Sequence, residues 1–179
     1  MNTCAIDVQS LLLAPDAPTT PSATDMFQGE LRLGPGAVTA GTSVIGATNN
    51  AGFGLLVTSN TTITVTNALT INKTGQLTLG IGSQSCGLVI SNALNTALSL
   101  ATATNGALRI AFRSAPAARP FYGLSWQGDH VAALQALQAA GTLVVDSSGL
   151  APKPATIFKT GGATYIGLPP PAGSLFLLR

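Results

Sequence analysis

From Gly29 onward the chain alternates apolar and polar residues over short stretches: Leu31 and Leu33 in GELRLGPG, Ile63 and Val65 in TTITVT, Leu69 and Ile71 in ALTIN, Leu77 and Leu79 in GQLTLGIG. A period of two places the apolar residues of each stretch on one face, so these segments predict short β-strands with a single buried side. Gly, Asn and Ser punctuate them closely, as in Asn49-Asn50-Ala51-Gly52 and Asn72-Lys73-Thr74-Gly75, and supply turn chemistry. Many short strands are expected rather than a few long ones.

The pattern changes elsewhere. Residues 1–28 contain PDAPTTPS, where Pro15, Pro18 and Pro21 favour an extended N-terminal arm. Pro116 and Pro120 interrupt regular structure and mark residues 114–120 as a linker between a repetitive β body, 29–113, and a C-terminal α+β unit, 121–179. In that unit a helical period runs through Val131, Leu134, Leu137 and Ala140, with Asp129 as the expected N-cap and Gly141 as the C-terminal stop. TLVVD reads as a strand, and ATIFKT and ATYIGL flank Gly161-Gly162 as a hairpin. The closing SLFLLR is so apolar that Leu175, Phe176, Leu177 and Leu178 are expected to contact this unit or a neighbouring subunit.

Two landmarks echo along the chain. GLLVTSN at Gly54 returns as GLVISN at Gly87, 33 residues on, and GQLTLGIG at Gly75 returns as GALRIAF at Gly106, 31 residues on. Such an interval suits one coil of three short strands with their turns. GELRLGPG at Gly29 precedes its counterpart at Gly75 by 46 residues, so the spacing is uneven. On these residues, the stretch from Gly29 to Phe112 resembles the right-handed parallel β-helix segments of bacterial autotransporter passengers, secreted adhesins and some phage surface proteins. The resemblance implies a mainly β fold: a parallel β-solenoid-like body whose last coil is covered by the C-terminal α+β cap. A jelly roll or β-sandwich is the structural alternative. No diagnostic motif comes with the resemblance, so it implies no site residues.

Composition narrows the function classes. Only 8% of residues are Asp, Glu, Lys or Arg, against roughly 25% in an average soluble domain. The polar surface must then come from Thr, Ser, Asn and Gln, and self-association is the natural expectation. A net charge of +2 with no basic patch beyond Arg109, Arg113 and Arg119 argues against a nucleic-acid partner, and those three read as solvated charges. Cys4 and Cys86 lie too far apart for a zinc site and a single histidine is present, so no metal and no cofactor is expected. Cys86 is expected as a buried thiol and Cys4 as a free one. MNTCAIDVQSLLLAPDAP lacks a basic start and carries Asp7, so it does not read as a secretory signal. No apolar stretch reaches the roughly 18 residues of a membrane-spanning helix, and membrane insertion is not expected. A complete autotransporter does not fit; a fragment, a solenoid relative or a particle protein does.

Catalytic chemistry finds few carriers. Ser125, Asp129 and His130 supply the residue types of an acyl-transfer triad, but neighbouring residues at a helix start point in different directions and no G-x-S-x-G elbow is present. Asp129 reads as a cap and His130 as a surface residue of the first turn. The six acids do not recur at the coil interval, which disfavours the carboxylate pair of a glycan-cleaving enzyme. Thr62, Thr64 and Thr66 resemble one threonine row of an ice-binding solenoid, without repetition on the next coil. Phe121, Tyr122 and Trp126 form an aromatic group that reads as cap core or as a contact for a sugar or partner. The resulting expectation is a non-enzymatic structural subunit of an extracellular, cell-surface or virion assembly, acting as a homo-oligomer. The alternative is an adhesin or a receptor- or glycan-binding module.

Overall fold

The computed structural model describes residues 4–13, 27–48, 52–82, 86–101, 106–114 and 121–169. The chain is mainly β with parallel sheets. Its strands are β1 (Cys4–Leu13), β2 (Phe27–Leu33), β3 (Gly36–Ile45), β4 (Gly52–Ser59), β5 (Thr61–Ile71), β6 (Gly75–Ile81), β7 (Cys86–Ile90), β8 (Leu98–Leu100), β9 (Leu108–Phe112), β10 (Phe121–Gln127), β11 (Leu143–Asp146), β12 (Thr156–Thr160) and β13 (Ala163–Leu168). Among the described residues one α-helix, α1 (Val131–Ala139), joins β10 to β11, and no helix is long and apolar enough to cross a membrane.

The strands fall into two sheets. One has the order β1-β3-β5-β7-β10-β13-β12 with β8 also paired to β5, and the other runs β11-β9-β6-β4-β2. From β1 to β7 the chain visits the two sheets in turn, so each parallel pair is connected through a strand of the opposite sheet. Among the described strands only β13 pairs antiparallel, with β10 and with β12. The register between β3 and β5 shifts between Ala40 and Thr42, where Thr66 and Asn67 of β5 stand opposite the single residue Gly41 of β3. Such a bulge bends a strand. The first part of β5 then pairs with β7 and its last part with β8.

Period-two patterning fills that interior with ladders. Ile6, Val38, Ile63, Leu88, Leu124 and Ile166 stand in register on successive strands of the first sheet. Leu31, Leu56, Leu77, Leu108 and Leu143 do the same on the second. All are buried except Ile6 and Leu31, which are half-buried against the same core. Each fully buried aliphatic side chain is worth about 1.5–3 kcal/mol, so the ladders dominate stability.

The register also explains the uneven echo. The 31-residue interval is a pairing step, since Leu77 lies beside Leu108. The 46-residue gap is two steps, because Gly29 lies beside Gly54 and Gly54 beside Gly75. The 33-residue echo relates different sheets: Gly54 is in β4 and Gly87 in β7. Close packing at the turns selects these glycines. Gly46 has φ +78°, and a Cβ on Gly75 would collide with the carbonyl oxygen of Ile45.

Beyond β10, α1 leads the chain back to the second sheet. It ends as expected at Gly141, φ +73°, with Gly141 N–H donating to Gln138 O at 3.1 Å and Thr142 N–H to Leu137 O at 3.1 Å. The start differs from expectation. His130 occupies the cap position, and Asp129 lies one residue further out, where its carboxylate takes a hydrogen bond from the Val131 N–H and pairs with Lys159 Nζ at 2.8 Å. Gly161 and Gly162, both at positive φ, form the two-residue loop that sets Thr160 opposite Ala163.

Candidate functional site

Two surfaces stand out from the otherwise regular exterior. The first is the end formed by β1 and β2, each of which has a paired neighbour on one side only among the described strands. The inward residues Ile6, Leu11, Leu13, Leu31 and Leu33 are only partly covered there. Ile6, Leu33, Pro35, Val38 and Thr61 line a cleft of about 170 Å³ at this end. Thr61 Oγ1 closes its floor by donating to the carbonyls of Leu33 and Gly34. Charge at the rim is self-neutralising: Arg32 Nε lies 2.6 Å from Glu30 Oε1 on the outer side of β2.

The second surface is aromatic. Phe121 and Trp126 are 2% and 1% exposed and belong to the core, so they are not available to a partner. Tyr122 differs because β10 shifts register against β13 between Tyr122 and Leu124. That irregularity turns Tyr122 outward, and its ring lies 4.3 Å from Tyr165 and 5.9 Å from Phe158. Phe158 and Tyr165 are cross-strand neighbours with ring centroids 5.6 Å apart. All three side chains are half-buried. Tyr165 and Phe158 were accessible to sequence reasoning, because the two-glycine loop fixes the hairpin register and hence places them opposite each other. The remaining candidates, Leu175, Phe176, Leu177 and Leu178, lie outside the described residues.

The acyl-transfer constellation does not assemble. His130 is 3% exposed, a correction to its expected surface position, and its ring stacks on Trp126 at 3.7 Å. The ring nitrogens meet Asn95 Oδ1 at 2.9 Å and Gln127 O at 2.8 Å, while its backbone N–H donates to Thr164 Oγ1. Both nitrogens are therefore engaged away from Ser125 and Asp129. Trp126 Nε1 in turn donates to Asn92 O at 3.0 Å, so this knot ties α1 to the sheets. His130 was missed as a core residue because an isolated polar side chain gives no periodic signal of burial.

Other candidates fall into ordinary roles. Thr64 stands beside Thr39 and Val89, and Thr62 beside Ala37, so the three-threonine row is not repeated. Cys86 is a free, buried thiol pushed up to about 11 by burial. The side chain of Cys4 lies outside the described residues. Ser148 N–H, with Arg113 and Arg109 nearby, holds the exposed Asp146 carboxyl below its usual range. Among the described residues no group of three or more His, Cys, Asp or Glu converges on a point that would hold a metal ion. No protein-family model matches the chain, and neither a curated protein nor a solved structure matches it at a significant level.

Proposed function

We propose that the chain is a non-enzymatic structural module of the parallel β-solenoid kind, which associates with a second copy through its β1/β2 end. The observation that carries this reading is the contrast along the ladders: interior rungs are fully buried, whereas Ile6, Leu11, Leu13, Leu31 and Leu33 are half-covered on or beside two strands that have one paired neighbour each among the described strands. The alternation of strands between the two sheets and their parallel pairing from β1 to β9 support a solenoid coil.

A second copy suits this end because β2 is self-complementary. Antiparallel pairing of two β2 edges centred on Leu31 sets Glu30 of each copy opposite Arg32 of the other, as a two-fold interface requires. The scarcity of charge, 8% of the chain, leaves little repulsion to oppose the contact. An extracellular or particle-surface setting agrees with a Thr- and Asn-rich exterior.

Light scattering across a concentration series tests the reading. The wild-type protein is expected to give a dimer, Glu30→Arg and Arg32→Glu each to weaken it, and the double swap E30R/R32E to restore it. A monomer at every concentration, or single reversals with unchanged mass, overturns the proposal.

A further inference from the structure

We infer that the outer face of β10, β13 and β12 binds an uncharged polysaccharide by stacking sugar C–H faces on Tyr122, Phe158 and Tyr165. This surface lies away from the end proposed for self-association, since β3, β5 and β7 intervene between β1 and β10 in the sheet. Cross-strand pairing accounts for the mutual contact of the rings: Phe158 faces Tyr165 across the hairpin, and Tyr122 stands on the next strand. It does not account for aromatic residues on the solvent side, where the nearest positions of the row through Tyr165 carry Ser125, Val89 and Thr64. With centroids 4.3 to 5.9 Å apart, the three rings make one contiguous apolar patch. Two of the rings are phenols, so the patch combines apolar ring surface with hydrogen-bonding groups.

The surroundings select the ligand class. The outer row that reaches Tyr165 starts at Asp7 on β1 and runs through Thr39, Thr64, Val89 and Ser125, so the four positions nearest the rings are neutral. Lys159 follows Phe158 but projects to the opposite side of β12 and is paired with Asp129. Among the described residues such a face offers no counter-charge to a phosphate, a nucleic acid or an acidic polymer. A neutral pyranose chain presents the complementary combination, apolar C–H faces flanked by hydroxyls.

The chain contains two tyrosines, both in this site, and one tryptophan, buried in the core. Tyrosine chemistry thus reports the site and tryptophan fluorescence reports the fold. The test is native electrophoresis of the full chain through gels containing laminarin, galactomannan, hydroxyethyl cellulose or the anionic alginate, paired with nitration by tetranitromethane read by mass spectrometry. The expected result is retardation by at least one neutral polymer, protection of Tyr122 and Tyr165 by that polymer, and about tenfold weaker binding for Tyr165→Ala with little change for Tyr165→Phe. If Tyr165→Ala loses its fold, protection of the wild-type tyrosines decides. Retardation by alginate alone, none by any neutral polymer, or retardation with both tyrosines still nitrated overturns the inference. So does a Tyr165→Ala variant that alters oligomeric mass but not polymer binding, which would mark the patch as a protein contact.

Discussion

Thr58 offers a quantitative test of how the interior is packed. It is 1% exposed in β4, between Leu33 of β2 and Leu79 of β6, and its Oγ1 finds no hydrogen-bond partner among the described residues. Leaving a buried hydroxyl unpaired costs about 1–3 kcal/mol, whereas valine keeps the shape and suits a strand. Thr58→Val is therefore expected to stabilise the protein by about 1 kcal/mol, raising Tm by roughly 2–4 °C for a chain of this size. Thr58→Ser keeps the hydroxyl and deletes the methyl, and is expected to destabilise by about 1 kcal/mol. Urea and thermal unfolding followed by circular dichroism separate the two. A lower midpoint for Thr58→Val would refute the reasoning, because it would mean that the hydroxyl is satisfied in the folded protein. Ser43, likewise buried without a partner on the first sheet, should respond in the same direction to Ser43→Ala.

Gly75→Ala is expected to cost roughly 3 kcal/mol or more, since the added methyl meets the Ile45 backbone, while Gly34→Ala, with open space around it, should be near neutral; paired denaturation curves compare them. Lys159 beside Asp129, and the Ser148 N–H beside Asp146, lower both carboxyl pKa values, so their stabilising effect is complete above the unfolded value near ~4 and is lost as pH falls through the depressed folded values. D129N/D146N should accordingly flatten the dependence of Tm on pH in that acidic range. Burial, which raises the Cys86 thiol to about 11, predicts no alkylation of Cys86 by iodoacetamide at pH 8 in the folded protein and rapid alkylation in denaturant, read by peptide mass. Labelling at equal rates in both states would show that the thiol is open to solvent.

Local sequence signals carried far because strand chemistry is local. The alternation around Ile63, Val65, Leu77 and Leu79, the Gly161-Gly162 hairpin and the Gly141 helix stop all correspond to observed elements. Pairing between distant strands was less legible. The steps from Leu31 to Leu56, Leu77, Leu108 and Leu143 are 25, 21, 31 and 35 residues, so a fixed period could not be read from them. The aromatic group was only partly resolved, since a register shift at Tyr122 sends it outward while Phe121 and Trp126 stay inside. Burial of His130 depended on Asn95 and Gln127 meeting its ring, a coincidence of three loop and strand-end positions with no periodic trace.

Those unequal steps have an evolutionary consequence. Connections of different length all deliver the next strand in the same alignment, so the ladders and the turns are specified independently. Loop closure penalises added length only slowly, by about 0.6 kcal/mol per doubling. A lineage carrying this scaffold can therefore lengthen, shorten or replace its connections, and so vary the surface presented to its surroundings, without recomposing the interior.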